Sequence, residues 1–135
     1  KGRYRVVNPK KYKGDIKDIV YRSSWELKFM KWCDYNNNVL EWGSETTIIP
    51  YKSPVDSKIH RYFVDFYIKV RNKSGKANKF LIEIKPSKQT LRPVKTKFKK
   101  QKTILYEQKM YVQNTAKWKA ANEWSKKKGY KLVKA

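Results

Sequence analysis

Glu83, Ile84 and Lys85 close the apolar run Phe80-Leu81-Ile82, and Asp65 stands inside a second strand-like run, Arg61 to Ile68. On a strand the side chains alternate faces, so Glu83 and Lys85 project together while Ile82 and Ile84 enter the opposite layer. An acid and an amine therefore share one small volume. With a second carboxylate on a neighbouring strand, such a site can hold Mg²⁺ and set a water against a phosphodiester. Strands are depleted in Asp, and Val64 and Phe66 beside Asp65 are apolar, so Asp65 needs a partner there. A structural ion pair and a metal ion both answer that need. For Glu83 and Lys85 the competing account is a charged, exposed edge strand. Glu26 also has two explanations: Ser23-Ser24-Trp25-Glu26 is a capping box, and the same spacing lets Glu26 lie over the sheet and join Asp65 and Glu83. The residues alone leave both open.

The elements that must carry these groups can be read in outline. Residues 1 to 20 form a basic N-terminal arm with no sustained period, and residues 21 to 135 form a single domain. From Ser23 the spacing of Trp25, Phe29, Trp32 and Cys33 predicts a helix with that face turned to the core, ended by Asn36-Asn37-Asn38. Thr46 to Tyr51 reads as a short strand and residues 59 to 70 as one longer strand, which pairs with Phe80 to Lys85 as a hairpin across Asn72-Lys73-Ser74-Gly75. The lysine-rich segment 87 to 100 is too charged to bury. Two helical stretches follow, Phe98 to about Lys109 and Asn114 to Lys127, then a stop at Gly129 and a last strand, Tyr130 to Val133. The fold class is α/β: a small mixed sheet flanked by helices, in the order helix, three strands, helices, strand.

Composition narrows the partner. Of 135 residues, 34 are Lys or Arg against 11 Asp or Glu, a formal net charge of +23, which points to a polyanion and first to DNA. No stretch reaches the length of a transmembrane helix and no signal-peptide pattern opens the chain, so a membrane partner is not expected. The single cysteine, Cys33, excludes an intrachain disulfide and fits a reducing compartment. The lone His60 has no nucleophile motif to serve, and no phosphate-binding Gly-rich loop is present. Lys88, Arg92, Lys95, Lys97, Lys99 and Lys100 follow the Glu83-Lys85 motif closely enough to contact phosphates, and a solvated face is their alternative.

The order Glu26, Asp65, Glu83-Ile84-Lys85 resembles the PD-(D/E)xK nuclease superfamily, whose members share a restriction-endonuclease-like core. Val64 stands where the superfamily name has Pro. The segments Tyr21-Arg22-Ser23-Ser24-Trp25-Glu26, Arg61 to Phe66, Ile82 to Pro86 and Asn114 with Lys117-Trp118 and Ala120-Ala121 are similar to the head-completion nucleases of T4-like tailed phages, themselves similar to TnsA-type transposition endonucleases. The resemblance runs from about residue 10 to the end. It implies Mg²⁺- or Mn²⁺-dependent cleavage of DNA, with Glu26, Asp65 and Glu83 around the metal and Lys85 on the attacking water; Arg22 is counted with the lysines above as a candidate DNA contact. It further implies action in the host cytoplasm at the filled phage head, before head and tail join, beside portal or neck components and with a place in the particle left open. Two rivals stand beside it: a non-catalytic basic DNA-binding plug, and the same fold used on junctions or transposon ends.

Overall fold

The structure, a computed structural model, describes residues 1–84, 96 and 98–134. Its elements are β1 (Gly2–Arg3), β2 (Val20–Tyr21), α1 (Ser24–Tyr35), β3 (Val39–Ser44), β4 (Ile48–Lys52), β5 (Ile59–Phe63), β6 (Phe66–Arg71), β7 (Ala77–Glu83), α2 (Gln101–Lys128) and β8 (Tyr130–Lys134). Four strands form the central sheet in the order β3-β6-β7-β8. β6 runs antiparallel to β3 and β7, and β8 lies parallel to β7, so the chain between them must cross over, which α2 accomplishes. The mixed α/β class expected from the sequence holds.

Both faces of the sheet are covered. On one, α1 buries Met30 and Cys33 against Phe66, Ile68 and Ile82, with Trp42 of β3 at the centre. On the other, Ala121 of α2 meets Tyr67 and Leu81 of the sheet and Ile49, Tyr51 and Tyr62 of a β4-β5 ribbon. This double cover makes Leu81, Ile82 and Glu83 buried in succession, where a one-faced strand would alternate. α1 starts as predicted: the Ser23 hydroxyl accepts the Glu26 N–H at 3.1 Å.

Several expectations need correction. Residues 59 to 70 are two strands, not one. The chain leaves the ribbon after Phe63 and enters the sheet at Phe66, so β5 and β6 have different partners. Alternation reports burial and not pairing, and Tyr62, Val64 and Phe66 are buried on both sides of the break. β3, unforeseen, forms the sheet edge. The C-terminal helix is continuous through Tyr111. Trp25 and Trp32 are 46% and 45% exposed, because α1 turns its Met30-Cys33 side inward.

The first twenty residues, expected as an arm, are packed into the molecule. Tyr4, Tyr12 and Ile19 are buried, and the fully buried Asp34 holds the stretch from Tyr4 to Asn8. Its carboxylate accepts the Tyr4 hydroxyl at 2.6 Å and the Val7 and Asn8 N–H groups at 2.7 and 3.0 Å. Lys13 N–H then donates to Trp42 carbonyl at 2.8 Å along β3. Gly43 permits this approach, since a Cβ there would lie 2.9 Å from the Lys13 carbonyl oxygen and strike Thr46 Oγ1.

Candidate active site

Asp65 lies at the point where the chain changes sheets. Val64 N–H still donates to Thr47 of the ribbon side at 3.0 Å, while the Asp65 carbonyl already accepts Glu45 N–H at 3.0 Å beside β3. The β6-β7 ladder ends with Phe66 opposite Ile82; Asp65 is the residue just before Phe66 and Glu83 the one just after Ile82. Asp65 Oδ2 accepts Ile84 N–H at 2.8 Å, so the carboxylate covers the donor just beyond the end of β7.

Glu83, the last residue of β7, shares the α2 side of the strand with Leu81 and is only 1% exposed. A buried carboxylate must be compensated, and Tyr62 of β5 donates its hydroxyl to Glu83 Oε2. Burial, followed by this hydrogen bond and the charges of Glu83 and Asp65, pushes the Tyr62 phenol far above its ordinary range. The phenol therefore stays a donor to the carboxylate. Two lysines come to the neighbouring aromatics: Lys117 Nζ lies 5.7 Å from the Tyr62 ring centre, and Lys134, opposite Glu83 in the β7-β8 register, has its Nζ 4.3 Å from the Trp118 ring.

Glu26 is placed differently. Its Oε1 accepts the Arg22 N–H at 2.6 Å, closing the start of α1 one residue earlier than a standard capping box. The Arg22 guanidinium binds Glu45 at 2.7 Å. Its pKa is raised by the Glu45 hydrogen bond and charge first, with Glu26 and Asp65 adding to them. Arg22 is thus the cation shared by the α1 end and the Asp65 end. Among the described residues no three His, Cys, Asp or Glu side chains form a group that could hold a metal. Asp65 and Glu83 flank the same end of the β6-β7 ladder, while Glu26 is engaged in the helix cap.

Lys85, Lys88, Arg92, Lys95 and Lys97 lie outside the described residues. Lys99 pairs with Glu107 at 2.9 Å, and Lys100 is exposed at the start of α2. His60 pairs with Asp56 at 2.8 Å in the ribbon turn. Cys33 is fully buried, and burial pushes its thiol up to about 12, as suits a core residue. Sequence reasoning missed Tyr62, whose phenol carries no motif, and Arg22 as a bridge between acids.

Mg²⁺ takes hard oxygen ligands and is commonly bound through one or two carboxylates, with water and substrate phosphate completing its shell. The Asp65-Glu83 pair fits that demand. The mixed sheet with helices on both faces defines an α/β domain, with two acids near one strand end of a strongly basic chain. The model of the TnsA-like endonuclease N-terminal family matches residues 36–133, and the chain belongs to this family. Over 134 residues it is also 42% identical to the head completion nuclease of Enterobacteria phage T4, covering 97% of this chain and 87% of that protein. No solved structure matches.

Proposed function

We propose that this protein is a metal-dependent DNA nuclease of the PD-(D/E)xK type that acts in phage head morphogenesis, trimming or cleaving DNA at the filled head before the tail joins. The observation that carries the chemistry is Asp65 brought across from the buried Glu83 at the end of β7, with the Tyr62 hydroxyl on Glu83. The place in assembly rests on the likeness to the phage T4 protein.

Asp65 and Glu83 would hold the ion, which when bound supplies Lewis-acid stabilisation of the phosphate and an acidified water. Each protein group has a separate task. Tyr62 fixes the Glu83 carboxylate so that it needs little reorganisation, and the Ile84 N–H fixes Asp65 in the same way. Arg22 and Lys134 offset the negative charge that a phosphodiester brings to two carboxylates. Lys85 carries the water-positioning role through its motif. Glu26 sets the start of α1, and with it the position of Arg22. By their charge, Lys88, Arg92, Lys95, Lys97 and Lys100 would serve as phosphate contacts.

Supercoiled plasmid incubated with Mg²⁺, Mn²⁺ or EDTA tests this reading. Wild type is expected to nick or linearise DNA only with metal, and Asp65→Ala to bind without cutting. Equal inactivity of both proteins with every metal, with DNA binding intact, would instead identify a non-catalytic DNA-binding plug. Branched and linear duplexes compared side by side distinguish head-end trimming from junction or transposon-end cutting.

A further inference from the structure

Helix α1 carries an aromatic strip whose outer rings, Trp25 and Trp32, lie outside the core cluster. At 100° per residue, positions 25, 28, 32 and 35 share one side, opposite the buried Met30 and Asp34. Those positions are Trp25, Lys28, Trp32 and Tyr35, all exposed. Phe29 lies between the two indoles. Trp25 and Phe29 are stacked with ring centres 5.4 Å apart and planes 11° apart, and Phe29 and Trp32 at 5.8 Å and 28°. Three rings thus form a row whose two end members are nearly half exposed.

The row is rigidly referenced to the acidic site. Phe29 packs on Phe66 with ring centres 4.7 Å apart, and Phe66 directly follows Asp65. At the other end Trp25 precedes Glu26, whose carboxylate holds the Arg22 amide. The strip and the reacting phosphodiester would therefore keep a fixed separation.

We propose that this strip is a stacking platform for unpaired DNA bases, so that the substrate class is duplex DNA with a single-stranded or frayed portion beside the scissile bond. The inference rests on the nuclease reading above. Roughly parallel aromatic rings interleaved with cations are what recognise a single strand, because every base offers a π-face and every nucleotide a phosphate. Lys28 inside the strip and Lys31 on its flank are both exposed and supply the cations. An intact duplex hides its base faces in its own stack and presents phosphates and edges. A protein partner would have to desolvate Lys28 at the centre of the contact, whereas a phosphate backbone meets it as a counter-charge.

Anisotropy titrations of labelled oligo-dT, blunt duplex and single-strand-tailed duplex test the proposal, using the whole chain in EDTA at fixed salt. Trp25→Ala and Trp32→Ala are expected to weaken oligo-dT and tailed-duplex binding about tenfold each, the order that base stacking carries. Blunt-duplex affinity and its salt slope should hold, and Phe at either position should restore most of the loss. Unchanged oligo-dT binding overturns the proposal and marks the strip as a protein-contact face. Equal losses on all three DNAs also overturn it. Because binding is read without metal, either failure leaves the cleavage test of Asp65→Ala untouched.

Discussion

Among the described residues two carboxylates, Asp34 and Glu83, lie fully inside, and their surroundings differ. Asp34, under the α1 face, is surrounded by backbone and phenol donors from residues 4 to 8, and its place is to fasten the N-terminal segment. Glu83, under the α2 face, stands at a strand end across from a second acid, in the gap where β5 departs from β6. Burial alone does not mark a site. What separates the two is the neighbouring acid, Asp65, and the change of sheet beside it, on which the proposed cation site rests. Asp34 also shows how electrostatics can favour a buried charge: burial raises its pKa, but the Tyr4, Val7 and Asn8 hydrogen bonds outweigh this and leave it below the usual range.

The contrast can be broken experimentally. The largest effect is expected for Asp65→Ala or Glu83→Gln, which should reduce metal-dependent cleavage by about 10³-fold or more, read from initial rates on plasmid, with a circular dichroism spectrum like that of wild type. Asp34→Asn should do the reverse, lowering stability by about 3 kcal/mol because charge-assisted bonds to buried donors are weakened, as measured by urea unfolding. Since the folded-state pKa of Asp34 is depressed, its stabilisation is present above the ordinary carboxylate pKa and lost as pH falls through the folded value. The gap between wild type and Asp34→Asn should accordingly narrow below about pH 4.

A smaller effect sharpens the comparison. Tyr62→Phe removes the hydroxyl on Glu83 without opening a cavity, and should weaken Mn²⁺ binding by about 10- to 100-fold, measured by calorimetry. Rescue by raised metal concentration is expected, which a folding defect would not show. Smallest of all, Gly129→Ala at the left-handed helix end, φ 79°, should cost about 1 kcal/mol in thermal stability and nothing in cleavage.

Much of this arrangement was legible in the sequence, and the failures have physical causes. The β6-β7 hairpin, the Ser23 cap, the Gly129 stop and the returning β8 each follow from local rules that the tertiary structure does not override. The break at Val64-Asp65 was not legible, because a chain that changes pairing partners keeps its alternating burial. The spacing of Trp25, Phe29 and Trp32 showed an apolar side of α1, but spacing cannot say which of two apolar sides turns inward. Tyr4, Tyr12 and Ile19 have no short period, and they are buried in a core cluster with residues far away in sequence, Tyr4 on Asp34 and Tyr12 beside Trp42 of β3. Asp65 and Glu83 were visible because an acid in an apolar run breaks the local pattern. Tyr62 was not, because a tyrosine in a strand conforms to it.

The most direct test compares Glu83→Gln with Asp34→Asn on supercoiled plasmid with Mg²⁺, at a temperature where both are folded. The account predicts that Glu83→Gln is inert although as stable as wild type, and that Asp34→Asn cuts at close to the wild-type rate although it melts earlier. Cleavage by Glu83→Gln, or a folded Asp34→Asn that cannot cut, would contradict the assignment of chemistry to one buried carboxylate and of structure to the other.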